Sequence, residues 1–172
     1  NRGRGGAERF TVQLGHRLQA AGLRVTLACR ADGWLAAQDF EQVHLPFRGE
    51  IDPASYLAAY RKLVPLQPDI IHCQAARDLA LFGSLRRLFL SKTPLLKSEH
   101  SFLDSAGSAW LRWCYRQCQA VIPVSQALRR QMNEVLPFFL PYQVIPNSMD
   151  LPGLEHPVPE PMLENRWIGY VG

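Results

Sequence analysis

Apolar positions along this chain follow two alternating rhythms. From Glu8 to Ala21 they recur at helical spacing, with Phe10, Leu14, Leu18 and Ala21 on one face and Gly22 placed to stop the turn. Arg24 to Cys29 is a β-branched run, and Gln42 to Phe47 a second short one; both predict strands. Asp52-Pro53 has the form of a helix start, cap then proline. The helix it opens is expected to turn Tyr56, Leu57, Tyr60, Leu63 and Val64 toward a core, and Pro65 and Pro68 to end it.

The alternation continues. Asp69 to Gln74 predicts a buried strand, Asp78 to Leu90 a helix, Leu95 to His100 a strand, and Ala109 to Cys118 an aromatic-rich helix. Ala120 to Ser125 predicts a strand that runs into a helix marked by Leu128, Met132 and Val135, and Tyr142 to Ile145 a last strand. Strand–helix alternation of this kind gives an α/β fold, a Rossmann-like parallel sheet with helices on both faces. The strands lack strict alternation, as expected where both faces are covered. Residues 1–147 form this unit. Residues 148–166 are rich in proline and acid and are expected to be a linker; 167–172, a strand running into Gly172, is expected to open a second doubly wound unit.

At 172 residues the chain has the length of one domain and can bury about 70% of its unfolded surface. Hydrophobic residues at 47% and charged residues at 20% exclude disorder, collagen and coiled coil. No apolar run approaches the ~20 residues of a spanning helix. No signal peptide is visible at Asn1, and the chain opens in a glycine-rich loop without Met, which suggests a piece cut at both ends.

Charge is uneven. Eighteen basic and eleven acidic residues precede Asp150, while four acids and one Arg follow from there. Sixteen of the nineteen bases are Arg, which suits phosphate and carboxylate. There is no dense basic run and no nucleic-acid motif, so nucleic acid is not an expected partner. Arg86, Arg87, Lys92 and Lys97 stand among Leu85, Leu88, Phe89 and Leu90, a surface suited to peripheral contact with an anionic membrane or to an ordinary exposed helix face. Cys29, Cys73, Cys114 and Cys118 lack zinc spacing and are expected to be reduced, buried thiols of a cytosolic protein.

In an open parallel sheet, ligands bind beyond the carboxyl ends of the strands. The Gly3–Gly6 loop, Cys29-Arg30, His72–Gln74, Glu99–His100, Ser125 and Asn147 all fall there. Gly5 and Gly6 let backbone N–H groups approach a phosphate at a helix start, although the loop matches neither the P-loop nor the dinucleotide fingerprint and is equally read as a flexible loop. His72 and Gln74 share one face of their strand, where they either bind a polyol or leave a histidine satisfied inside the sheet. By spacing alone His100 is a rim residue, and Ser125 a helix cap. Glu50-Ile51-Asp52 and Asp39-Phe40-Glu41 are not D-x-D, so no metal site is expected.

Seven segments in order then resemble family 4 glycosyltransferases of the GT-B fold. Gly5-Gly6-Ala7-Glu8-Arg9 is similar to the family's opening loop, and Gly22-Leu23-Arg24-Val25-Thr26-Leu27 to the approach to the next strand. Pro68-Asp69-Ile70-Ile71-His72 resembles P-D-[VI]-[VI]-H, and Ser98-Glu99-His100-Ser101 resembles T-x-H-[SD]. Val121-Ile122-Pro123-Val124-Ser125, Val144-Ile145-Pro146-Asn147-Ser148-Met149-Asp150 and Ile168-Gly169-Tyr170-Val171-Gly172 resemble three later strand ends.

The resemblance implies one half of a two-domain enzyme. This half binds a glycan or lipid-linked acceptor; the other holds the nucleotide sugar, which is a co-substrate rather than a cofactor. The transfer is usually retaining and metal-free, and bacterial surface polysaccharide or lipopolysaccharide assembly is the implied setting. Gly5 and Gly6 would approach the donor diphosphate and His100 the transferred sugar. Asn147 and Ser125 would line the interdomain rim, and His72, Gln74 and Arg77 are acceptor candidates by position. Ser148 departs from the family's Gly. The first strand and the donor half, with its E-x7-E acids and basic pair, are not in this sequence, so the piece is expected to be inactive alone. A nicotinamide-binding oxidoreductase domain, with Arg30 facing a 2′-phosphate, is the competing reading, as is a non-catalytic glycosyltransferase-like subunit.

Overall fold

Gly5 leads into the first of five α-helices, which alternate with five strands along the residues that the computed structural model describes, 5–49, 52–103, 108–136 and 138–147. The expected linker 148–166 and terminal strand 167–172 lie outside them. In chain order the elements are α1 (Gly6–Ala20), β1 (Thr26–Cys29), β2 (Glu41–His44), α2 (Pro53–Leu63), β3 (Ile71–Cys73), α3 (Ala76–Phe89), β4 (Leu95–Glu99), α4 (Ala109–Tyr115), β5 (Ala120–Pro123) and α5 (Gln126–Val135). Every paired strand is parallel: Thr26 lies opposite Glu41, Ile71 opposite Leu95 and Leu96 opposite Ala120.

The single sheet expected from the sequence is two ladders, β1-β2 and β3-β4-β5. Among the described residues β1 pairs only with β2 and β3 only with β4, so no backbone bonds join the two. The last expected strand, Tyr142–Ile145, is reduced to a bridge from Tyr142 to Val121, with Gln143 N–H donating to the Val121 carbonyl at 3.0 Å and Ile145 N–H to that of Pro123 at 3.2 Å. Pro141 and Pro146 bound it, and neither can donate to a ladder.

The helices start and stop for local reasons. Asp52 caps α2, accepting from Ala54 N–H at 3.2 Å, and Ser125 caps α5, accepting from Leu128 N–H at 3.1 Å. Gly22 takes φ +84° just past α1, the left-handed turn expected of it. The core-facing stripe of α2 is the expected one only in part, Tyr56 and Leu63 packing against the core. Ser55 and Ala59 are buried, four apart on one face, while Leu57 and Tyr60 are about half exposed at 50% and 45%. Small side chains let this helix sit close to its neighbours, and Tyr60 instead meets Phe89 with the rings tilted at 57°, 4.7 Å between centres. On α1, Phe10, Leu14 and Leu18 are only half-buried, Ala21 is exposed, and the buried positions are Glu8 and Gly15.

The core gathers Leu79, Leu85, Leu95, Tyr115, Val121, Leu128 and Met132, joining α3, α4 and α5 to the three-stranded sheet. Each such aliphatic side chain contributes roughly 1.5–3 kcal/mol. All four cysteines are buried and none is in a disulfide. Among the described residues no helix is long and apolar enough to cross a membrane. The basic cluster does not form as expected, because Lys97 is fully buried, as are Leu85 and Leu90; Arg87, Lys92, Leu88 and Phe89 remain outside.

Candidate functional site

β4 ends at Glu99, and the next residue, His100, stands where the strand opens onto the rim. Its Nε2–H donates to Gln74 Oε1 at 2.9 Å, from the residue that follows β3. On the other side of the ring, Asn147 Nδ2 donates to His100 Nδ1 at 3.3 Å. An amide oxygen on one nitrogen and an amide N–H on the other select a single neutral tautomer, with the proton on Nε2. Phe10, from α1, sets its ring edge-on to the imidazole at 5.2 Å. Burial lowers the His100 pKa, helped by Lys97 and opposed by Glu99 and Glu8, so the neutral form prevails at pH 7.

The glycine loop reaches the same place. Gly5 N–H donates to Glu8 Oε2 at 3.1 Å, and the charge of Glu8 is felt at His100. A side chain at Gly5 would strike that carboxylate, its Cβ 2.6 Å from Oε2, whereas one at Gly6 would meet nothing within 4 Å. The open backbone at the start of α1 is therefore at Gly6, and the N–H of Gly5 is already occupied. Gln74, His100 and Asn147 thus converge from three separate segments on one lip, with Phe10 of α1 against the imidazole.

The segments that build this lip carry a family signature. A model of Glycosyltransferase Family 4 matches residues 4–151. The chain belongs to glycosyltransferase family 4. None of the curated proteins compared with it matches. A family 4 domain of this kind is Rossmann-like, and both parallel ladders and their flanking helices agree with that.

The other expected site residues of this family 4 chain are placed variously. His72 Nε2 lies 2.8 Å from Ser98 Oγ, inside the sheet; burial first, then Lys97 and His100, pull its pKa down to about 4. Gln74 is engaged with His100 rather than left open. Ser125 is occupied as the cap of α5. Arg77 falls in the first turn of α3, but its side chain lies outside the described residues. Arg30, the candidate for a 2′-phosphate, is held by Asp32 through Nε at 2.8 Å and Nη2 at 3.0 Å and by the Phe47 carbonyl at 3.2 Å. Among the described residues no three His, Cys, Asp or Glu side chains are grouped to hold a metal.

Three residues beneath the lip have a role that the sequence reading does not give them. Lys97 is fully buried and pairs with Glu99 at 3.1 Å; Tyr115 OH donates to the same carboxylate at 2.6 Å. The available signal was Lys97 itself, a charge in the middle of an apolar strand.

Proposed function

We propose that this chain is the acceptor-side half of a glycosyltransferase that moves a sugar from a nucleotide-sugar donor to a glycan or lipid-linked acceptor, with retention and without a metal. The observation that carries the reading is the Asn147–His100–Gln74 chain of hydrogen bonds, which presents a neutral, oriented imidazole at the carboxyl ends of the strands. A neutral His100 does not attract the donor's phosphates as an ion, and a sugar hydroxyl that displaced the Asn147 amide, the longer of the two bonds at 3.3 Å, would donate to Nδ1. The backbone at Gly6 is open to a diphosphate at the positive end of α1. Arg30, fixed by Asp32, is poorly placed for a cofactor phosphate, which argues against the oxidoreductase reading.

The leaving diphosphate needs fixed positive charge. On this reading that charge comes from a donor half, and the chain alone is inactive. The setting is the cytoplasmic side of a bacterial membrane, in surface polysaccharide or lipopolysaccharide assembly. Leu88 at 69% exposure and Phe89 beside Arg87 and Lys92 would serve as a peripheral membrane contact.

Saturation-transfer NMR on the chain tests the reading with glycans, lipid-linked sugars in detergent, nucleotide sugars and NADPH. Acceptor resonances are expected to bleach, and to recover in His100→Ala. Binding of NADPH with no response from any sugar would overturn it.

A further inference from the structure

A lysine at the centre of a sheet is costly. Lys97 is 0% exposed, and an ammonium there must be paired and hydrogen-bonded to be tolerated. Its Nζ donates to the Gln74 carbonyl at 3.3 Å and to that of Ser98, and it lies 3.1 Å from Glu99 Oε2. Glu99 is held in turn by the Tyr115 hydroxyl at 2.6 Å, from α4. Apolar residues of the same volume would hold a strand at least as well. What they would not do is reach Gln74.

The register makes this specific. β3 and β4 run side by side only as far as Cys73 opposite Lys97. Gln74 lies one residue past the end of that ladder, and Lys97 holds its carbonyl there. Alternation puts Lys97 and Glu99 on the face toward α4, and Ser98 with His72 on the other. The Gln74 side chain meets His100 beyond the strand ends. The buried pair therefore acts on the lip through the backbone of one residue.

We propose that Lys97, Glu99 and Tyr115 are positioning residues for the site: they clamp the Gln74 carbonyl to β4, so that the Gln74 amide fixes His100 as the Nε2–H tautomer with its Nδ1 lone pair toward Asn147. This rests on reading His100 as a site residue of the transferase. One further effect points the same way: after burial, the Lys97 charge lowers the pKa of both His72 and His100 and favours the neutral form of each. The groups that face His100 are Lys97 and Glu99 from β4, Glu8 from α1, and the amides of Gln74 and Asn147.

The test is NMR of the protein carrying 15N-labelled histidine, across pH 4.5 to 8. Wild type is expected to give a single Nε2–H tautomer at His100. In the double variant Lys97→Met with Glu99→Gln, which leaves no unpaired buried charge, that signal is expected to become a mixture of both tautomers. The His100 midpoint should rise, because the Lys97 charge that lowers it outweighs the Glu99 charge removed with it. A folded double variant with an unchanged tautomer and midpoint overturns the proposal, since a merely structural pair would alter stability alone. If the double variant gives no dispersed spectrum, Tyr115→Phe decides. Removal of its hydroxyl takes one of the two partners of Glu99 Oε2, leaving Lys97 Nζ, and a partial loss of the single tautomer is expected; unchanged His100 signals overturn the proposal. Sugar binding is read separately, by the saturation-transfer experiment. A chain that binds no sugar yet shows the tautomer change sinks the proposed function and not the clamp. One that binds acceptor but whose His100 is indifferent does the reverse.

Discussion

Asn147 and His100 stand 47 positions apart and meet through one hydrogen bond, from the Asn147 amide to the imidazole Nδ1. The bond joins the segment after α5 to the residue that follows β4. It also occupies the only lone pair the neutral ring offers, since Nε2 carries the proton toward Gln74.

That geometry predicts a graded response to substitution. His100→Ala removes the hub, and transfer by the assembled enzyme should fall about 100-fold, the scale of losing one oriented hydrogen-bonding group at a reacting centre. Asn147→Ala removes one of the two bonds that orient the ring and should cost less, about 10-fold, equivalent to roughly 1.4 kcal/mol. Both variants should keep the wild-type circular dichroism spectrum. Equal rates for the two single variants and wild type would show that the ring is a bystander.

His72 carries a pH prediction. Its pKa is pulled down to about 4 in the fold, against about 6.5 in an unfolded chain. The unfolded chain therefore takes up the proton first, so the contribution of neutral His72 is complete above pH 6.5 and declines as pH falls toward 4. Between pH 7 and 5 the loss from this group is about 2 kcal/mol. Urea midpoints at those two pH values measure it. His72→Gln, which can still bond Ser98, should flatten the acid-side slope; an undiminished slope would move the effect to another group.

Much of the fold was legible because each helix and strand carried its own local signal. The Asp52 and Ser125 caps, the Gly22 stop and the parallel order all follow from short-range chemistry. The α2 stripe was partly misjudged because size rather than hydrophobicity decided the face: Ser55 and Ala59 allow close approach where Leu57 and Tyr60 do not. The lip was legible from the rule that parallel strands end together, which brought His100 and Asn147 to one place. Its partners were not. Nothing local says that Gln74 turns to His100, or that Lys97 points inward to the Gln74 carbonyl instead of joining Arg86 and Arg87 at the surface. Such pairings are set by register between segments more than twenty residues apart.

The surface around Leu88 and Phe89 carries its own prediction. With Lys97 removed to the interior and Arg86 donating to the Thr93 carbonyl at 2.7 Å, the bases left beside the apolar pair are Arg87 and Lys92. Each base near an anionic surface is worth about 1 kcal/mol. Reversal of both, Arg87→Glu with Lys92→Glu, should weaken sedimentation with anionic liposomes at least 30-fold and leave neutral liposomes unaffected. The double variant Lys97→Met with Glu99→Gln should not alter liposome binding. Equal binding by the reversed variant would remove this surface from consideration.

The loop between β2 and α2 stores strain, and one serine secures it. Phe47 is buried yet takes φ +47°, a conformation costing roughly 1–3 kcal/mol in a residue with a side chain. Its N–H donates to Ser55 Oγ at 2.7 Å, and the Ser55 hydroxyl donates onward to Asp52 Oδ2 at 2.5 Å. Asp52 also accepts from Arg48 N–H at 3.3 Å, so the cap of α2 and the strained turn share one network. Ser55→Ala leaves the Phe47 N–H without its acceptor in a buried setting, a loss of about 1–3 kcal/mol. Ser91→Ala, in an exposed turn, should stay within about 0.5 kcal/mol of wild type. Urea unfolding of the two variants makes the comparison. Amide exchange at Phe47 gives the local version: the Ser55→Ala protein should lose protection there before it loses any in β4. Matching midpoints, or a Phe47 amide as slow as before, would mean that the turn is held by the burial of its phenyl ring and not by the hydrogen-bonded serine.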